Sequence, residues 1–168
     1  MSHLQSQDLV LAIYLLMEDR PWTFQSASES LGISASQTHA AWKRLVHAKL
    51  ADAEFKKVIR RNLLEFICCG AKYCFPPTIK GGGYGIPTAH THPKLRKLLL
   101  SAESDRYVWP TSVGKVKGTT IEPLHRSAIH LAQNSAKAYE VLAAFDALRS
   151  GKTRDQEVAV SILKELFK

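Results

Sequence analysis

Apolar residues recur along the first third of the chain at helical intervals. In SQDLVLAIYLLME, residues 6 to 18, Leu9, Val10, Ile13, Leu16 and Met17 fall three and four apart, which predicts a helix with one broad buried face. Ser6 is the predicted N-cap, and Asp8 stands in the first turn, where the positive end of the helix dipole favours a carboxylate. Arg20 and Pro21 close the segment. A second, shorter helix is predicted from Thr23, its cap, to Leu31. Gly32 ends it, because glycine accepts the left-handed conformation that a Cβ resists. Ser34 then caps a third helix, Ala35 to Ala48.

From Ala51 to Gly70 the spacing stays helical, with Phe55, Ile59, Leu63, Phe66 and Ile67 on one side and Lys56, Lys57, Arg60 and Arg61 opposite. The run KYCFPPTIKGGGYGIPTAHTHP is crowded with Pro and Gly, which excludes a helix there. It predicts a short strand at Lys72 to Phe75, a loop at Gly81 to Gly85 and an extended return. RYVWPTSVGKVKGTTI predicts a β-hairpin from Arg106 to Ile121 that turns at Val113 to Lys115. Beyond Pro123 the pattern is helical again: a piece to about Asn134, then Ala136 to Arg149, then Thr153 to Phe167. The expected fold class is α+β and mostly helical. Residues 1–70 form an N-terminal module with a basic fourth helix, and residues 71–168 a C-terminal part of short hairpins and helices.

A tight glycine-containing turn between a second and a third helix describes a helix-turn-helix. In LGISASQTHAAWKRLVHAKL the turn is Gly32-Ile33-Ser34, and Thr38, Ala41, Trp42 and Leu45 take the buried spacing of the third helix. The remaining face is small and polar at its start, with Ser36, Gln37, His39 and Ala40. It becomes basic further along, at Lys43 and Arg44, which suits a helix inserted by its N-terminus into a major groove. This stretch resembles the bacterial helix-turn-helix and winged-helix transcription regulators. The resemblance covers about Leu9 to Leu50. It implies base-reading places at Ser36, Gln37, His39 and Ala40, and phosphate-contacting places at Ser34, Lys43 and Arg44. Gln pairs both edges of an adenine, while Ser and His make single bonds. Lys49 stands where the family often has Gly. No hairpin is expected directly after Leu50, so the module is either wingless or uses the loop from Lys80 to Tyr84 as a displaced wing. The plainer alternative is a helical hairpin inside a core.

Charge sharpens this expectation. Lys and Arg number 23 against 15 acidic residues, a formal net charge of +8, with an isoelectric point near 9.5. Such an excess favours a polyanion, because neutralised phosphates release counterions. Lys56, Lys57, Arg60, Arg61 and Lys80 are candidates for tracking a phosphate backbone, or else a solvated face. A mean hydropathy of −0.14, with no apolar run near the ~18 residues of a membrane span and no basic start to the N-terminus, predicts a soluble, cytoplasmic protein without a membrane partner.

The other constellations carry less. Cys68, Cys69 and Cys74 are an odd, clustered set that reads as reduced, buried thiols. KGGGYG lacks the frame of a nucleotide-binding loop. His90 and His92, two apart, could begin a metal site, but they lack further ligands at fixed approach; neither a metal nor another cofactor is expected. Cys74 with either histidine lacks a third orienting group. The expected function is thus sequence-specific binding of double-stranded DNA by a non-enzymatic regulator, a repressor of its own or a neighbouring operon. A homodimer would read two half-sites, and a protein partner from the same operon is possible by analogy with antitoxin and defence loci. Two alternatives stand beside it: an antitoxin-like interaction module that uses the helix-turn-helix as scaffold, and a metal-dependent hydrolase using His90 and His92.

Overall fold

The computed structural model describes residues 3–18, 20–99 and 105–168. Leu9 to Ile13 have no solvent exposure at all, so the first helix, α1 (Ser6–Met17), is covered on every side rather than along one face. Around it pack α2 (Phe24–Leu31) and α3 (Ala35–His47) from the N-terminal part and α5 (Arg126–Asn134) and α6 (Ala136–Ser150) from the C-terminal part. The C-terminal helix α7 (Thr153–Leu166) backs α6. Apolar residues from both parts of the chain therefore form one continuous core, with α1 at its centre. Its N-cap is Gln5 rather than Ser6, because Asp8 reaches back to the Gln5 amide (2.8 Å) in a capping box. The architecture is α+β and mostly helical. Among the described residues no helix is long and apolar enough to cross a membrane.

Directly after α3 the structure departs from the expected helix. Ala51–Asp52 (β1) and Lys57–Val58 (β2) pair as a small antiparallel hairpin. Asp52 causes it: its Oδ1 accepts the amides of Glu54 (2.9 Å) and Phe55 (3.1 Å), a local turn that competes with helix. A wing-like hairpin thus stands at Leu50 after all, and Lys56, Lys57, Arg60 and Arg61 do not share a helix face. Lys56 sits in the turn and Lys57 on β2, while Arg60 and Arg61 begin α4 (Arg60–Glu65), which continues through one wide π-helical turn, Phe66–Ala71, to Cys74. The predicted strand at Lys72 to Phe75 is therefore the last turn of a helix.

The glycine run is a strand, not a loop. β3 (Ile79–Thr88) is the shared partner of β4 (Tyr107–Pro110) and β5 (Val116–Ile121), and the three close into a small barrel. Both neighbours run antiparallel to β3 and so parallel to each other. The expected hairpin from Arg106 to Ile121 is replaced by two strands on opposite sides of β3. Their connection crosses β3 so closely that a Cβ on Gly114 would stand 2.1 Å from the Gly85 carbonyl carbon. The segment from Lys80 to Tyr84 is thus not the free loop expected of a displaced wing: Gly82 to Tyr84 pair with β5, after a shift in register that follows Ile79.

A buried polar hub joins the barrel to α6. The Oδ2 of Asp146 accepts from the Thr88 hydroxyl and the Trp109 indole, both at 2.6 Å. Its Oδ1 accepts from Arg149 Nε at 2.8 Å, and Arg149 donates onward to the carbonyls of Phe75 and Glu122. Both ions are almost wholly buried, and each is satisfied by several partners, as an ion pair out of water requires.

Candidate nucleic-acid interface

The turn between α2 and α3 is fixed from both ends. Thr23 caps α2 by accepting the Ser26 amide (3.0 Å), and Gly32 ends it at φ +62°, where only glycine is unstrained. Ile33 points into the core. The His130 ring of α5 lies under Gly32 and bonds the Glu29 carbonyl at 3.2 Å, so the C-terminal part props this turn. Ser34 and Gln37 then cap α3 reciprocally: Ser34 Oγ accepts the Gln37 amide (3.1 Å), and Gln37 Oε1 accepts the Ser34 amide (3.0 Å).

One side of α3 is anchored. Thr38, Ala41, Trp42 and Leu45 are buried, and the Trp42 ring meets Trp22 edge-on at 5.0 Å. The other side is open: Ser36, Gln37, His39 and Lys43 are exposed and Ala40 is half-buried. His39 is steadied by an edge contact with Phe24 (4.9 Å). Two of the expected contacts change. Gln37 Oε1 is occupied by the cap and by the Ser34 hydroxyl (3.1 Å), so two-edged adenine pairing is closed to it and only its amide donors remain. The Ser34 hydroxyl is likewise engaged, and a phosphate at this end would meet the free amides of the first turn of α3 instead.

The cations sort by what they already hold. Arg44 is withdrawn from phosphate binding: its Nε and terminal nitrogen grip both oxygens of Asp8 at 2.7 and 2.6 Å, and Asp8 is fully buried. The bond to Asp8 holds the Arg44 proton more firmly than usual, and burial opposes it only in part. Lys80 is paired with Glu122 at the edge of the barrel. Lys56 donates to the Trp22 carbonyl (3.3 Å) and lies over the Trp22 ring at 4.5 Å, while Trp22 Nε1 donates back to the Lys56 carbonyl (3.1 Å). Arg60 donates to the Phe167 carbonyl (2.8 Å). Lys43, Lys49, Lys57 and Arg61 are exposed, and none of their side chains has a hydrogen-bond or ion-pair partner among the described residues. Trp22 went unnoticed in the sequence, although an aromatic after a helix-ending proline was there to be seen.

The histidines and cysteines form no such site. His92 is buried, its ring meeting Tyr139 edge-on at 4.3 Å, and burial pulls its pKa down to about 4. His90 bonds the Asp105 carbonyl, and His125 caps α5 by accepting the Ser127 amide (3.2 Å). Among the described residues no three of His, Cys, Asp or Glu converge as metal ligands would. The cysteines are free, as expected, but Cys69 and Cys74 are exposed rather than buried, and Cys68 is half-buried with its thiol pKa raised by desolvation. Comparison of the chain with protein-family models, with curated proteins and with solved structures found no match.

Proposed function

We propose that this protein binds double-stranded DNA sequence-specifically through α3 and acts as a transcriptional regulator, a repressor of its own or a neighbouring operon. One observation carries the reading: Ser36, His39 and Lys43 face solvent from a helix whose opposite side is locked into the core. The wing-like hairpin that follows, with the exposed Lys57 on its second strand and the exposed Arg61 just beyond it, adds support. In this reading the start of α3 enters the major groove, and Ser36 and His39 touch base edges. Lys43, Lys49, Lys57, Arg61 and the first-turn amides of α3 meet phosphates. Two copies on a two-fold-symmetric operator would double these contacts.

The test is fluorescence anisotropy against duplexes tiled from the DNA upstream of the gene, at two salt concentrations. Lys43→Ala lowers affinity for every duplex and reduces the salt slope by about one unit. His39→Ala instead narrows the gap between preferred and scrambled duplexes, by about 1–3 kcal/mol if it reads a base. Gln37 is unsuitable here, because its loss also uncaps the helix. Binding that ignores both changes removes the proposal.

A further inference from the structure

A cleft of about 620 Å³ opens between the C-terminal end of α1, the connection from Arg20 to Trp22, and the wing-like hairpin. Organic ligands occupy pockets of roughly 300–1,000 Å³, so its size suits a small molecule. Its walls are of two kinds. Leu15, Leu16, Pro21 and Val58 supply an apolar lining, and Trp22 and Phe55 add two rings. Phe55 is 68% exposed at the tip of a tight turn, where it serves no core. Around them stand Arg20, Lys56, Lys57 and Arg60, with Glu18 as the one carboxylate in the lining among the described residues. Lys56 and Arg60 are held by backbone carbonyls, and none of the four cations has a carboxylate partner among the described residues.

This combination narrows the occupant. Unneutralised cations favour an anion, and the apolar lining is wasted on a hydrated inorganic one. The exposed ring of Phe55 rewards a flat ring that stacks on it, and the half-buried Trp22, with Lys56 over its ring at 4.5 Å, stands beside that place as an aromatic edge. We propose that the cleft is a binding site for a small planar aromatic carboxylate, its ring against Trp22 and Phe55 and its carboxylate among Lys57, Arg20 and Lys56.

The site is tested without DNA, so its failure leaves the DNA-binding proposal untouched. Naphthalene-2-carboxylate is titrated by calorimetry and followed by amide and indole cross-peaks. A dissociation constant on the order of 0.1–1 mM is expected for exposed charges and one buried ring system. The Trp22 indole N–H signal and the amides of residues 55–58 should shift. Naphthalene-2-methanol, which lacks the charge, and cyclohexanecarboxylate, which lacks the flat ring, bind at least ~10-fold more weakly. Lys57→Glu and Phe55→Ala weaken naphthalene-2-carboxylate by a similar factor, with thermal melting unchanged because both side chains are exposed. Absence of binding, shifts confined elsewhere, affinity unaltered in both variants, or inorganic phosphate competing at equal concentration would each overturn the proposal.

Discussion

Arg44 and Asp8, thirty-six residues apart, meet in a bidentate pair whose two contacts measure 2.7 and 2.6 Å. Asp8 also closes the capping box of α1, so one buried carboxylate fixes the start of the central helix and the inner side of α3. A lone buried ion is costly, whereas two apolar replacements of similar volume are often tolerated. Asp8→Leu alone should therefore destabilise the protein by about 3–5 kcal/mol. The double variant Asp8→Leu with Arg44→Met should cost less than the two single changes added together. Urea unfolding of the four proteins gives the coupling directly. Additive losses would show that the pair does not act as a unit.

Lys49 holds a backbone conformation that glycine would hold more cheaply. It lies at φ +60° just past α3, and the Leu50 and Lys49 amides bond back to the carbonyls of Leu45 (2.9 Å) and Val46 (3.1 Å). This is the crossed pair of bonds that ends a helix in a left-handed residue. Lys49→Gly should raise stability by about 0.5–1 kcal/mol, the left-handed penalty less the entropy that glycine loses on folding. Thermal melting measures it. If Lys49 also meets a phosphate, the same variant loses affinity for all duplexes while gaining stability, which separates the two roles.

The helical parts were legible because their spacing and their caps agree. Thr23, Gly32 and Ser34 stand at the ends of the helices that they mark, and α5, α6 and α7 lie close to where periodicity puts them. The hairpin after Leu50 was hidden because Phe55, Ile59 and Leu63 mimic helical spacing across a turn that Asp52 imposes. Periodicity counts apolar residues and does not see a side chain bonding its own backbone. Pairing of distant residues was hidden for a different reason. Nothing local in the sequence says that Arg44 belongs to Asp8, although a carboxylate inside an otherwise apolar helix was a sign that some cation would come to it. The outward face of α3 could be read in advance, but which of its groups are already engaged could not.

The glycines of β3 are not equivalent. A Cβ on Gly85 would stand 1.9 Å from the Trp109 carbonyl oxygen, a rigid backbone atom, whereas one on Gly81 would meet nothing within 4 Å. Gly85→Ala should therefore disrupt the barrel and loosen the Trp109 bond to Asp146, and so destabilise by more than about 3 kcal/mol. Gly81→Ala should lie within about 0.5 kcal/mol of the parent. Chemical denaturation compares them, and near-ultraviolet circular dichroism of the buried Trp109 reports the barrel. Equal effects at both positions would contradict the close approach of the Trp109 backbone to Gly85.

Acid should destabilise the fold through His92. Its pKa falls to about 4 chiefly because burial penalises the charged ring; the nearby Glu140 opposes this and Lys94 adds to it. In the unfolded chain the group returns to about 6.5. Between these values the unfolded state binds a proton that the folded state refuses, so stability is complete above about pH 6.5 and drains away as pH falls toward 4. The loss is at most about 3 kcal/mol. His125, lowered by the same cause, works in the same direction. His92→Phe keeps a ring against Tyr139 and removes the titration. Its unfolding free energy should change less between pH 7.5 and pH 4.5 than that of the parent, by about 1–3 kcal/mol. An identical pH dependence in both proteins would mean that the ring is already hydrated in the folded state, and that the packing of His92 against Tyr139 is looser than the 4.3 Å contact requires.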